Sequence, residues 1–292
     1  MGTIKKILFR MKKVASIAKH LTLSTTSTSA TWSPQFINNN GQTLTWYASG
    51  DISPISQNVN DPNFDLSANT GTVNMDIYDV SQLTHFYCYS NQLTSLDVSQ
   101  NMSLKNLDCY SNQLTSLDVS ANALLISLDC NSNQLTSLDV SANIALITLY
   151  CHTNQLTSLD VSQNMSLKNL YCYSNLLTTL NISINTELEY LYCNSNQLTS
   201  LDVSANIALI TLSCNSNLLD GLNVSANTAL KNLYCGFNNM SSTSTDQIYI
   251  DLANNTVSNG VLHIRNNRTS ASDTARATLV SRGWTFNETY TT

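Results

Sequence analysis

Charge is scarce in this chain. Only 11% of its 292 residues are Asp, Glu, Lys or Arg, the net charge is -6, and Ser, Thr and Asn supply the polarity instead. Nucleic acid, which is held by clustered Lys and Arg, is thereby excluded as a general partner. No apolar run approaches the length of a membrane-crossing helix, so no transmembrane segment is expected. Also missing are a GxGxxG phosphate loop, a Walker motif, a paired CxxC and a nucleophile elbow. These absences point to a protein with no cofactor and no enzymatic activity. At 42% hydrophobic residues, the chain still holds enough apolar material for a substantial core.

The few cations are unevenly placed. Lys5, Lys6, Arg10, Lys12, Lys13 and Lys19 crowd the first nineteen positions, and the next basic residue is Lys105. Residues 1–30 therefore read as a basic N-terminal arm or a signal segment. A cleavage position at Ala30, after Thr28 and Ser29, fits a signal segment, but Lys12, Lys13, Lys19 and His20 break its apolar stretch. Ile4, Ile7, Leu8, Met11, Ala15 and Ala18 instead recur at helical spacing and suit docking onto a virion, an envelope partner or a membrane surface. A plain tail is the third reading.

The middle of the chain is repetitive. Its eight cysteines, from Cys88 to Cys235, are separated by twenty-one residues every time. Superposing the turns gives LxxLxCxxNxLxxLDVSxNxx, carried for example by Leu104, Leu107, Cys109, Asn112, Leu114, Leu117, Val119 and Asn122. A fixed stride of this size marks a solenoid. The pattern resembles the leucine-rich repeat, in particular the 21-residue nested (IRREKO-like) class of bacterial surface and phage proteins, over about residues 83 to 240. A longer echo lies above it: "SQNMSLKNLDCYSN" (99–112) returns as "SQNMSLKNLYCYSN" (162–175).

Elementary geometry predicts the same coil. Twenty-one residues hold two short strands and two corners, with no room for an ordinary helix as well. Leu and Cys alternate inward while the neighbours of Cys face out. Thiols on adjacent rungs, about 4.8 Å apart with parallel Cβ vectors, are poorly placed for disulfides and read as small buried hydrophobes. One asparagine column (112, 133, 154, 175, 196, 217) and a second (101, 122, 143, 164, 185, 206, 227) sit at the corners, where an amide satisfies otherwise unpaired backbone groups. The expected fold class is an all-β-dominated repeat solenoid, a right-handed leucine-rich-repeat coil of about eight turns with parallel β-sheets. Its ends need caps. Residues 31–82, with the alternating "QTLTWYA" and "GTVNMDIY", predict a β-rich N-terminal cap domain. Residues 241–292 predict an α/β C-terminal cap: helix "STDQIYIDLANN", strand "GVLHIRN", helix "SASDTARATLVSRG" and strand "WTFNETY".

Turn-to-turn variation locates the candidate site. Outward residues on the DVS side barely change, whereas those flanking Cys do, and they take eight of the thirteen tyrosines. Tyr87, Tyr89, Tyr110, Tyr150, His152, Tyr171, Tyr173 and Tyr192 are the candidate ligand-binding residues, since Tyr combines rigid contact area with a hydrogen-bonding tip. A row of Tyr also simply suits an exposed strand. Asp108 and Asp129, on adjacent rungs, are at glycosidase-like spacing, but nothing in the sequence raises either pKa. The Asp column of DVS reads as corner hydrogen bonding, with Ca²⁺ as the alternative. The reading is a non-enzymatic, surface-displayed protein that recognises a glycan or protein ligand, on a virion or at an extracellular cell surface (a phage tail accessory or a bacterial adhesin). The alternative is a structural spacer docked by its basic arm. A minor one, from the Thr-Ser pairs, is an ice-binding solenoid.

Overall fold

The structure is a computed structural model that describes residues 20–25, 27, 36–38, 45–50, 55–58, 73–78, 83–265 and 267–288. The helix expected over residues 4–18 and the cleavage position at Ala30 lie outside the described residues. The chain divides into two compact units, residues 1–143 and 144–292.

In the first unit the strands are β1 (His20–Thr25), β2 (Phe36–Asn38), β3 (Thr45–Gly50), β4 (Ile55–Asn58), β5 (Val73–Tyr78), β6 (His85–Tyr87), β7 (Leu93–Asp97), β8 (Asn106–Asp108) and β9 (Ser127–Asp129). The two stretches read as alternating strands both form strands, and β3 runs antiparallel to β5 from Thr45↔Tyr78 to Gly50↔Val73. Together with β1, β4 and β7 they form a sheet of order β4-β3-β5-β1-β7. Residues 20–25 of the N-terminal segment are thus β1, antiparallel to β7 of the first repeat turn. Thr25 fastens that junction, its hydroxyl donating to the Asn91 carbonyl at 2.7 Å. On the Cys side, β6, β8 and β9 are parallel and β2 adds antiparallel to β6.

The second unit continues with β10 (Thr148–Tyr150), β11 (Asn169–Tyr171), β12 (Tyr190–Tyr192), β13 (Thr211–Ser213), β14 (Asn232–Tyr234), α1 (Ser242–Asn254), β15 (Val261–His263), α2 (Asp273–Ser281) and β16 (Thr285–Asn287). From β10 to β16 each strand is parallel to the next. Every turn files the same side chains inward. In one of them Leu167, Leu170, Cys172, Leu177, Leu180 and Ile182 are all buried. At about 2 kcal/mol for each fully buried aliphatic side chain, this stack is the main source of stability. All eight cysteines are free and buried, as the column geometry requires.

The two asparagine columns work differently. Beside Cys, the Asn175 Oδ1 accepts from the Leu156 amide of the preceding turn at 3.0 Å. Its Nδ2 donates to the Cys151 and Cys172 carbonyls at 3.1 and 3.0 Å. On the DVS side, Asn206 Nδ2 donates to the Ile182 and Asn185 carbonyls of the turn before. The DVS half corrects the expectation of two strands per turn. Among the described residues, the DVS halves contribute only β7 and one isolated bridge, Asp97↔Asp118. The amides of this half bond locally, Ser204 to the Asp202 carboxylate and Asn206 to the Val203 carbonyl, whereas in the Cys half the Cys172 and Ser174 amides reach the Tyr192 and Asn194 carbonyls of the next turn.

The predicted C-terminal helices and strands all form. Helix α1 takes the place of a DVS half-turn, and its Ser241 cap accepts from the Ser244 amide. Asn255, just beyond α1, extends the second column by donating to the Asn227 carbonyl at 3.2 Å. Gly260 is required where it stands, because a Cβ there would lie 2.5 Å from the Trp284 ring. Buried Asp246 ties the start of α2 to α1, accepting from the Thr269 amide and from the Thr269 and Ser272 hydroxyls.

Candidate functional site

The strands of the Cys half present two outward positions per turn, one on each side of the cysteine. Parallel rungs are about 4.8 Å apart, so equivalent rings on successive turns are forced into stacks. In the 144–292 unit, Tyr150 lies 4.6 Å from Tyr171, and Tyr171 lies 4.7 Å from Tyr192. Alongside, His152 and Tyr173 stack at 4.1 Å. These five candidate residues therefore converge on one half-buried face. Because the rings cover one another, most of what they turn outward is ring edge and hydroxyl.

Electrostatically this face is neutral. Burial, reinforced by the neighbouring tyrosines, pushes the Tyr171 hydroxyl up to about 12, and burial raises Tyr192 too. Burial drives the His152 imidazole down to about 4. The Tyr171 and Tyr192 hydroxyls stay protonated and the His152 imidazole uncharged at neutral pH.

In the 1–143 unit the remaining candidates sit around a pair of carboxyls. Tyr89 and Tyr110 stack at 4.5 Å, and Tyr87 meets His85 edge-on. Asp108 and Asp129 are register partners on β8 and β9. Their chemistry corrects the sequence reading: burial, then the Asp129 charge, pushes the Asp108 carboxyl up to about 7. One buried Asp108 oxygen, Oδ1, has no hydrogen-bond partner, while Asp129 is held by the Asn131 amide. The pair occupies the sheet face beside stacked tyrosines, and burial raises both carboxyls.

Other candidates resolve into structure. Asp118, Asp139 and Asp202 each accept from the amide two residues on, at Ser120, Ser141 and Ser204, and the hydroxyls of those serines, then their amides, lower the three pKa values. Among the described residues, no three His, Cys, Asp or Glu side chains gather to hold a metal. The Thr157-Ser158 and Thr199-Ser200 pairs are exposed at corners outside the strands. No helix among the described residues is long and apolar enough to cross a membrane. Sequence reasoning passed over Tyr234, which shares the column of Tyr192 and packs edge-on against His263 at 4.8 Å. Its signal was the shared position before Cys.

No family model matches the sequence, and no curated protein matches it. Solved structures do. The functional domain of InlJ from Listeria monocytogenes, described as including a cysteine ladder, is 38% identical over 57% of this chain and 43% of that one, with a TM-score of 0.47. An internalin (inlF) from Listeria monocytogenes is 20% identical over 73% of this chain and 63% of that one, with a TM-score of 0.64. A leucine-rich-repeat protein of Leptospira interrogans is 22% identical over 71% and 61%, with a TM-score of 0.57. This chain thus spans between 43% and 63% of the length of these three. The last two likenesses, with the parallel rungs and inward leucines, show a leucine-rich-repeat solenoid fold.

Proposed function

We propose that this chain is a non-enzymatic recognition protein that engages a protein partner through the Tyr-bearing Cys-side face. The observation carrying the reading is the run of rings from Tyr150 to Tyr192, with His152 and Tyr173 beside it, at separations of 4.1 to 4.7 Å. Such a face is rigid before any partner arrives, so little side-chain entropy is lost on binding. Outward ring edges and neutral hydroxyls suit the mixed apolar and polar surface of a protein. A sugar stacks on ring faces, and here most of those faces are covered, which favours protein over glycan. Residues 83–240 serve as the recognition array and 241–292 close it. The 21-residue nested class that the repeat resembles supports an extracellular, cell-surface or virion setting. The sparse charge suits such a surface, with solubility coming from Ser, Thr and Asn.

The test screens the full chain against arrays of extracellular protein domains and of glycans. A variant carrying Tyr150→Ala, Tyr171→Ala and Tyr173→Ala is screened beside it. Protein binding lost in the variant, with exchange protection of the core amides retained, supports the reading. Binding unaffected by the variant, or no binding on either array, overturns it, and the second result favours a structural spacer.

A further inference from the structure

In the 1–143 unit, the corner that follows each DVS half turns apolar side chains to solvent. Two successive bends make it in the first turn, the Asn101 amide donating to the Val98 carbonyl and the Leu104 amide to the Asn101 carbonyl. Met102 between them is 56% exposed, and one turn on Leu124 and Ile126 are 51% and 37% exposed. The leucines around them, Leu104, Leu107, Leu125 and Leu128, are fully buried, so this row is separate from the core. An acidic row runs beside it. Asp97, Asp118 and Asp139 are exposed, each held at 2.9 Å by the amide of the serine two residues on. Lys105 is the one Lys or Arg among the described residues of this unit, and it follows the apolar row. An apolar strip with an acidic border fits an amphipathic segment whose polar side is basic.

The chain delivers such a segment to this corner. Strand β1 runs antiparallel to β7 with Leu23 opposite Leu96 and Thr22 opposite Asp97. Carried back, that register brings the start of β1 level with Ser99, so the residues preceding it are handed over just short of Met102. Those residues, 1–19, hold Lys5, Lys6, Arg10, Lys12, Lys13 and Lys19 and no Asp or Glu, with Ile4, Ile7, Leu8, Met11, Ala15 and Ala18 at helical spacing. As a helix they would measure about 28 Å at about 1.5 Å per residue, against about 4.8 Å from one turn to the next. Reach is therefore ample. Charge argues against the other occupants, because the same corner of a second copy, or an anionic membrane, would set like charge against the aspartates.

We propose that residues 1–19 fold back onto the corner of Met102, Leu124 and Ile126, laying their aliphatic side chains on the exposed row and their lysines against Asp97, Asp118 and Asp139. The segment then seals the DVS side of the first two turns. This contact is independent of recognition on the Cys-side face, which lies on the other half of each turn.

Limited trypsin digestion of the full chain tests this, because Lys5, Lys6, Arg10, Lys12 and Lys13 are cleavage sites within the segment. Docked, the segment is cut about tenfold more slowly than a synthetic peptide of residues 1–19. Leu124→Ser combined with Ile126→Ser, both at exposed positions, returns the rate to that of the peptide. Asp118→Asn combined with Asp139→Asn keeps an acceptor for each corner amide and speeds cutting severalfold, as does about 0.5 M salt. That pair is an independent arm should the first variant misfold. Carbodiimide coupling of the intact chain joins lysines of the segment to Asp118 or Asp139. Cutting at the peptide's rate in the intact chain, or protection unchanged in either double variant, would overturn the proposal. Protection that rises with protein concentration would overturn it in favour of a second copy. Binding of the intact chain to phosphatidylserine vesicles as tightly as the peptide binds them would overturn it in favour of a membrane.

Discussion

The imidazole of His152 lies flat against the phenol of Tyr173, ring centroids 4.1 Å apart and planes 9° from parallel. The 3.3 Å approach of His152 Nε2 to the Tyr173 hydroxyl runs across this stack. Packing therefore holds the pair more than a linear hydrogen bond does. Burial depresses the imidazole to about 4 in the folded chain, against about 6.5 unfolded. As pH falls through that interval the unfolded chain gains the proton first, so this residue costs stability on acidification. NMR titration should find His152 neutral down to about pH 4, and Tyr173→Ala should return it toward the ordinary value. A midpoint near 6.5 in the intact protein would contradict the buried stack.

Asp108 has the opposite sign. Its folded pKa of about 7 stands above the ordinary carboxyl value of 3.8. The folded chain therefore keeps a proton that the unfolded chain has released. The resulting stability is present at low pH and is lost as pH rises through about 7. The urea midpoint should fall between pH 5 and pH 8 more in the unaltered protein than in Asp108→Asn. His152 contributes equally to both and cancels in the comparison. Parallel curves for the two proteins would rule out a raised Asp108 carboxyl.

Replacing Asn175 should be costly in a diagnostic order. Alanine leaves the Leu156 amide and the Cys151 and Cys172 carbonyls without their partner, at about 3 kcal/mol in sum. Aspartate keeps the acceptor but turns a negative oxygen toward those carbonyls, and is worse. The urea midpoint should fall in the order Asn, Ala, Asp.

One residue per turn, just before the corner asparagine, is left-handed: Ser132, Thr153, Ser174, Ser195 and Ser216 have φ between 52° and 56°. A β-branched side chain is least tolerated there. Thr153→Gly should therefore stabilise by about 1 kcal/mol, and Ser195→Gly by less, since glycine's extra unfolded-state entropy offsets part of the relief. Paired urea titrations of the two variants would show it.

The thiol column should be chemically silent. Burial pushes Cys172 and Cys214 up to about 12, so little thiolate forms at neutral pH. A thiol reagent should label none of the eight cysteines in the native chain and all of them in denaturant. Fewer than eight after denaturation without reductant would reveal bridged sulfurs.

Turn length, inward Leu and Cys, and the corner asparagines were legible because identical side chains at equal intervals leave one way to stack. Other features depend on what one turn presents to the next. The halves LxxLxC and LxxLDV look alike, yet only the first forms successive strands, because the amides of the second bond within their own corner, as Ser204 does to Asp202 and Asn206 to Val203. The raised pKa of Asp108 needs burial, and then Asp129 one rung away. Serine does not advertise a left-handed backbone as glycine would. The tyrosine column could be read directly, but the face-to-face covering of its rings required side chains in place.

The corner hydrogen bonds of Asn196 span 19 or 24 residues back along the chain and no further. An in-frame excision of twenty-one residues would therefore rejoin ends that already match, and an insertion of the same length would find its partners waiting. Such an array can lengthen or shorten by unequal recombination with little penalty to folding, and the near-verbatim copies at 99–112 and 162–175 look like the product of such an event. What cannot drift so freely is the order of rings along the outer face, so a partner gripping it would experience each gain or loss as a shifted foothold.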